Sequence, residues 1–497
     1  MLHIRVVKTK GLSRAVQVYH YHKGKRVIVK HIGSGTTDDQ IHQLQEIAKV
    51  FIADYTKQTS LFQAQKPNVK DVLLSQCTYI GSYYTFIYDV MRAIQHQIGF
   101  TLLADNLLND LALMRIIEPA SKLRSIELMK TYFGIHHRRQ NYYDVVPQWL
   151  ILKTGVEKQT LQFARKHYGF DFSMVFYDVT TLYFESFTSD ELRDTGFSKD
   201  GKVQQPQILV GLMVTPEGLP VSYQVFSGNT FEGHTLLPII KSFIKTHKIK
   251  HFTVVADAAM ISTKNVDNLR EVGIHYIVGA RLGNITKLLF TQIDNTLERK
   301  DGSIIRLKTD KGFLICSFSK KRYNKDKHEM KKQIDKAKQL LQQPSKIKKV
   351  KYLKTEDSKA ILNEALIEKT KKLLGIKGYY TDIEARVVDN VTIIKRYHQL
   401  YRVEQAFRVS KHDLRTRPIF HFKSDSIQLH ILVCFMALVV SKHIEITTQI
   451  SIRAFITQCK KITDARLINL LNNKEVKMRV PVPDHLKKII TKFGLPH

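Results

Sequence analysis

A chain of 497 residues with 43% hydrophobic composition can bury large cores and is too long for one comfortable domain, so roughly two to four are expected. Its 78 Lys and Arg against 45 Asp and Glu leave a formal charge of +33, which favours a polyanionic partner, nucleic acid first, although a Lys- and Ile-rich composition also follows from AT-rich coding. Cys77, Cys316, Cys434 and Cys459 are too scattered for a disulfide framework, no apolar leader opens the chain, and the stretch from Leu429 to Val440 is too short to span a bilayer; a cytoplasmic protein without a membrane partner is expected.

Residues 1 to about 35 alternate apolar and polar between Gly-containing breaks, which predicts a small antiparallel sheet, followed by a polar helix from about Asp38 to Gln58. Between about 75 and 170 the pattern is helical. Asn106 to Ile117 stops before Pro119, a second helix starts at Ser121 as N-cap and ends near Gly134, and others cover Asp144 to Lys153 and Val156 to His167. At Met174 the period shortens, and apolar runs at 174–179, 208–214, 219–226, 252–257 and 274–280 read as five strands, with helices at about 232–246 and 263–271. The order is β-β-β-α-β-α-β, a meander followed by right-handed crossovers, as a ribonuclease H-like fold requires. Lys320 to Lys354 then carries 14 Lys and Arg against 3 Asp and Glu, with Pro344 breaking a helix; it reads either as a solvated helix face or as a DNA-tracking insertion. A long helix from about Asn390 to His412 follows, with further helices behind it.

Asp178 lies inside the apolar strand MVFYDVTTLYF, where an unpaired carboxylate is costly unless a metal or donor compensates it. Asp257 ends the run FTVVAD, at the C-terminal end of a parallel strand, where open α/β sheets place their ligand crevices. Each alone also reads as a strand-end residue or helix cap. In the predicted order their strands are neighbours, so the two carboxylates meet. A third acid, Glu404, falls on a helical stripe with Tyr397, Tyr401, Arg408, Lys411 and Arg415; the plainer reading is a Glu404–Arg408 pair on a solvated helix. Three carboxylates without a Cys/His cluster favour Mg²⁺ or Mn²⁺ over zinc. Two such ions about 4 Å apart activate an attacking water or 3′-hydroxyl and neutralise the leaving oxygen of a phosphoryl transfer.

Residues 397–411 read Tyr397, two residues, Leu400, three residues, Glu404, six residues, Lys411. This resembles the Y-(2)-R-(3)-E-(6)-K block of bacterial insertion-sequence DDE transposases of the insertion-sequence-four superfamily. FYDVTTLYFE, GFSKDGK with PQILVGLMVTPEGLPV, FSGNTFEGHTL, VVADAAMIS and FRVSKHDLRTRPIFH with SIQLHILVCFMAL resemble blocks of its sixteen-thirty-four branch in the same order, over roughly residues 100–445. The resemblance implies a ribonuclease H-like core with an insertion before the Glu helix. It also implies Asp178, Asp257 and Glu404 as catalytic residues holding two Mg²⁺ or Mn²⁺ ions, with Tyr397 and Lys411 at DNA-contacting positions. Leu400 departs from the block's Arg, whose phosphate contact is either lost or taken by Arg402 or Arg408; Arg415 shares the basic face.

The expected fold is therefore α/β: a ribonuclease H-like catalytic core at 171–284 and 385–450, split by a basic β-rich and helical insertion at 285–384. It is preceded by a small sheet with a helix at 1–60 and a helical DNA-binding region at 61–170, and followed by a helical region at 451–497. The expected function is cleavage at element ends and transfer of the freed 3′-hydroxyls, with double-stranded DNA (terminal inverted repeats and target) as partner, a homodimer on DNA, and nucleoid association in a bacterial cytoplasm. A ribonuclease H-like nuclease or resolvase, and a non-catalytic DNA-binding derivative, are the alternatives. Asn229 and Glu232 suggest a capping box, or Glu232 and His234 a place beside the metals. Ser198, Lys199 and Asp200 suggest a turn, and His136 to Arg139 a basic loop or DNA contact. His20 and His22 lack a third ligand for zinc, and His421 and His430 suit helix-end and core packing.

Overall fold

The computed structural model describes residues 2–9, 11–56, 76–103, 105–198, 201–202, 204–249, 251–260, 262–342, 351–356, 359–470 and 473–495. At the N-terminus β1 (His3–Lys8), β2 (Arg14–His22) and β3 (Lys25–Gly35) form the predicted antiparallel sheet, and α1 (Asp38–Thr56) closes one face. Strand alternation is the cause: Val16 and Val18 pack on Ile41, Leu44 and Ala48, which turns Gln17 and Tyr19 to the other face.

After β4 (Cys77–Tyr83) come α2 (Thr85–Ile98), α3 (Asn106–Ile117), α4 (Lys122–Phe133), α5 (Arg139–Leu150) and α6 (Lys153–Tyr168). Ser121 Oγ accepts from Arg124 N at 3.2 Å and Gly134 closes α4 at φ 70°, as predicted. The helix expected from Asp144 starts at Arg139 instead, with Gln140 Nε2 donating to Asp144 Oδ1 at 2.8 Å along its first turn. His137, expected in a basic loop, pairs with buried Asp110 at 2.8 Å.

β5 (Met174–Tyr183), β6 (Gln207–Val214), β7 (Pro220–Ser227), α7 (Leu236–His247), β8 (Thr253–Ala256), α8 (Thr263–Glu271) and β9 (His275–Ala280) follow in the predicted β-β-β-α-β-α-β order. The expected capping box is absent. Asn229 Nδ2 donates to Asp194 Oδ2 at 2.8 Å, and α7 begins after a 3₁₀ turn over Glu232–His234, with Thr235 at its N-cap and no side-chain cap. Lys199 and Asp200 of the expected turn lie outside the described residues.

Next come α9 (Lys287–Thr296), β10 (Ile304–Thr309), β11 (Gly312–Phe318), α10 (Lys320–Leu341), β12 (Leu353–Glu356), β13 (Lys359–Leu362), α11 (Glu364–Leu373) and β14 (Ile376–Thr381). The central sheet is mixed and eight-stranded, in the order β10-β11-β14-β9-β8-β5-β6-β7. Part of the basic segment therefore continues this sheet: β14 pairs antiparallel with β9, Gly378 opposite Ala280. Its helices keep a small core of their own around Met330, Tyr352 and Ile367. Pro344 lies outside the described residues.

The helix expected from Asn390 to His412 is three pieces: α12 (Asn390–His398), α13 (Tyr401–Arg408) and a π-helical turn over Val409–Asp413. Then follow α14 (Ser424–Thr448), α15 (Ile452–Cys459), β15 (Asp464–Asn469), β16 (Lys474–Arg479) and α16 (Asp484–Thr491). The C-terminal region is thus not wholly helical. β15 and β16 join β4 in a three-stranded sheet, where buried Asp464 is held by Arg479 at 2.7 Å and Lys477 at 2.8 Å. By length and composition α14 could cross a membrane, being longer than the apolar stretch that marks it in the sequence, but 94% of its apolar window is buried inside the protein. One continuous apolar cluster joins α2–α6, the sheet and α14.

Candidate active site

Parallel pairing of β5 with β8 ends at Tyr177 opposite Ala256, so Asp178 and Asp257 stand one step further on adjacent strands. Alternation along β5 fixes the face that Asp178 uses. Tyr177 Oη donates to Thr235 Oγ1 at 2.7 Å on the α7 side, whereas Thr180 and Leu182 line a cavity of about 30 Å³ with Phe407, Ser410 and Phe435. Asp178, of the same parity as Thr180, faces α13. Asp257 uses that face too, because Tyr397 Oη, from α12, donates to its Oδ1 at 3.3 Å.

Tyr397 is buried against β9, and the close approach needs glycine beneath it: a Cβ on Gly279 would lie 2.5 Å from Tyr397 Oη. Burial first, then the Asp257 charge, pushes the Tyr397 phenol well above its usual range, so it stays protonated and can donate. Its ring packs edge-on to Tyr379 at 4.9 Å, and the Lys377 ammonium lies 4.7 Å from its centroid. Lys377 is held below the usual lysine range by burial and then by Arg322, against the pull of Asp257 and Glu404. These side chains border a cavity of about 700 Å³ between the sheet and the basic segment, with Asp257, Tyr397 and Lys377 on one wall and Arg322, Asp326 and Lys351 on the other.

Glu404 lies on the exposed side of α13, above buried Val403, Ala406 and Phe407. Its charge acts on Tyr397 and Lys377, the two side chains that Asp257 also acts on. Among the described residues no three His, Cys, Asp or Glu side chains converge as a metal-holding group. The acids nonetheless suit a hard cation in kind: two are neighbours on one face, and all offer oxygen donors.

The single stripe expected to run from Tyr397 through Glu404 to Arg415 is interrupted. The chain turns at Gln399 and Leu400, which puts Tyr397 and Glu404 on separate helices. Leu400 is 6% exposed and starts α13 inside the apolar cluster, so an arginine there would have to leave the core. Arg402 points elsewhere than Glu404: its stem lies 3.5 Å from a Cβ built on Gly218, in the β6–β7 turn, and its guanidinium stacks 5.0 Å from Tyr401. Arg408 is exposed, and Lys411 is half-buried in the π-helical turn. Arg415, at φ 47°, borders a different cavity with Glu118, Asp413 and Lys460. Lys377 and Arg322 were missed in the sequence. A lone lysine in the apolar strand GIKGYYT carries the same signal as Asp178, but it was submerged in a Lys-rich segment.

Fold and site together define a basic α/β protein with two aspartates, Asp178 and Asp257, at the C-terminal ends of adjacent parallel strands. The model of the transposase DDE domain matches residues 170–440, more than half of the chain and both aspartates and Glu404 with it. The chain belongs to that family of DNA transposases. No curated protein matches it. Among solved structures it is similar to the piggyBac transposase synaptic complex with hairpin DNA, at 10% identity over 93% of this chain and 84% of that one, with a TM-score of 0.37. The Mos1 transposase paired-end complex with left transposon end is similar over 47% of this chain and 66% of that one, at 9% identity and a TM-score of 0.16.

Proposed function

We propose that this transposase, of the insertion-sequence-four superfamily and its sixteen-thirty-four branch, cuts DNA at element ends and joins the freed 3′-hydroxyls to target DNA. The carrying observation is the pair Asp178 and Asp257, in register on one face of the sheet, with Tyr397 donating to Asp257. In this reading the sheet is a ribonuclease H-like core formed by 171–284 and 385–450, interrupted by 285–384, and preceded by end-recognition regions at 1–60 and 61–170. Asp178, Asp257 and Glu404 would hold Mg²⁺ or Mn²⁺, whose chemistry when bound is to activate the attacking oxygen and neutralise the leaving one.

The chain's own residues supply the rest. Tyr397, kept protonated, steadies the carboxylate of Asp257. Lys377, together with Arg408 and Lys411, offers positive charge to the phosphates flanking the scissile bond. Two ends must be held at once, which calls for a homodimer on DNA, working in the bacterial cytoplasm at the nucleoid.

Incubating the full chain with a plasmid carrying the element's ends tests this. Nicking at the ends and then joined product are expected with Mg²⁺ or Mn²⁺, and neither with a chelator. Cutting without any joined product would favour a nuclease, and no cutting with either ion would refute the proposal.

A further inference from the structure

Residues 1–37 hold eight Lys and Arg and no Asp or Glu, the most one-sided stretch at either end of this chain. The fold gathers part of this charge on one surface. With α1 on the face of Val16 and Val18, the opposite face of the N-terminal sheet presents cross-strand rows: His3 beside Tyr19, Arg5 beside Gln17, and Tyr21 beside Arg26. Tyr21 and Ile28 are 52% and 49% exposed, so this is a solvent face and not a second core.

Its side chains are already ordered. Arg5 donates from Nε and Nη2 to Gln17 Oε1, at 3.0 and 2.7 Å. Arg26 Nε donates to Tyr21 Oη at 3.0 Å, and its guanidinium lies 5.8 Å from both tyrosine rings. His3, Tyr19 and Tyr21 form a ladder of rings with successive centroids 5.6 Å apart. At the tip, Lys23 and Gly24 both take positive φ, 48° and 74°, the conformation of a tight two-residue hairpin loop, so β2 and β3 project as a narrow ribbon carrying Lys25 and Arg26.

A twisted two-stranded ribbon fits the major groove of B-form DNA, where amide and guanidinium groups read base edges while flanking cations meet phosphates. We infer that the outer face of this sheet, led by the β2–β3 hairpin, is a double-stranded DNA-binding surface. Arg5 and Arg26 on this face meet phosphates, Gln17, Tyr19 and Tyr21 lie against the groove, and Lys25, opposite His22 on the other side of the ribbon, adds charge at the tip. The inference rests on the reading of the chain as a DNA-processing enzyme and adds where the duplex is held away from Asp178 and Asp257.

Fluorescence anisotropy of the full chain on a labelled random-sequence duplex of about three helical turns, over a range of salt, tests it. The tip double variant Lys25→Ala/Arg26→Ala and the variant Arg5→Ala are each expected to bind at least about tenfold more weakly. Each phosphate left without its cation should flatten the slope of log K against log salt by about 0.9. Arg5→Lys, which keeps the charge, should recover the slope, and circular dichroism should show the tip variant folded, its changes being fully solvent-facing. Unchanged affinity and slope in a folded tip variant would overturn the inference, as would loss of binding to phosphatidylserine vesicles with duplex binding intact. If the wild type binds through this face but cuts nothing, the catalytic reading falls and this one stands; if it cuts while the sheet variants bind normally, this one falls alone.

Discussion

Asp178→Asn and Asp257→Asn are each expected to abolish DNA cleavage while leaving duplex binding in place. Both changes preserve shape and remove one charge from a pair on adjacent strands that share a face. Loss of a group that only orients a metal ligand already costs roughly 10–100-fold, so loss of a ligand should exceed about a hundredfold in rate. Duplex binding should persist, because the surplus of cations over acids lies elsewhere in the chain. Asp257→Asn should have a second effect, since Tyr397 loses the carboxylate whose charge helps to hold its phenol protonated. The check is a single-turnover cleavage assay beside a binding titration; a cleavage rate within threefold or so of wild type for either variant would remove that aspartate from the chemistry.

Acid should destabilise the fold well before its carboxylates protonate. His443 is fully buried on α14, with Nδ1 2.6 Å from Tyr168 Oη and the His167 ring 5.1 Å away. Burial first, then His167, lowers its folded-state value to about 3. Unfolded histidine titrates near 6.5, so between about 3 and 6.5 the unfolded state binds the extra proton. Stability therefore rises with pH across that window and is lost as pH falls from 6.5, by about 1.4 kcal/mol per pH unit for one such histidine. At pH 5 the loss from His443 alone is about 2 kcal/mol. His421, lowered to about 3 by burial and then by Lys122, and buried His430 push the same way. Urea unfolding at pH 7 and pH 5 measures the difference. His443→Gln should shrink it, and equal stability at the two pH values would contradict the account.

Much of the central sheet was legible because its strands are short apolar runs bounded by turns, and the meander-then-crossover order follows from their spacing. That order alone put Asp178 beside Asp257. Three features were not legible, each because long-range packing decides them. The turn at Gln399 and Leu400 carries no glycine or proline, so a straight helical stripe cannot show it. β10, β11 and β14 add to the sheet only through pairing with β9 from outside the five-strand unit, which no local period encodes. Lys377 owes its place beside Tyr397 to that same pairing. The expected capping box failed for a related reason, as Asn229 is taken by Asp194 from the β5–β6 loop.

We propose that Asp178, Asp257 and Glu404 act as one metal-holding set, with Glu404 on the exposed face of α13. Electron paramagnetic resonance titration of Mn²⁺ into the full chain bound to duplex tests this most directly. The account predicts tight uptake of about two ions per chain, weakened at least about tenfold in each of Asp178→Asn, Asp257→Asn and Glu404→Gln. Mn²⁺ uptake by Glu404→Gln indistinguishable from wild type would contradict it.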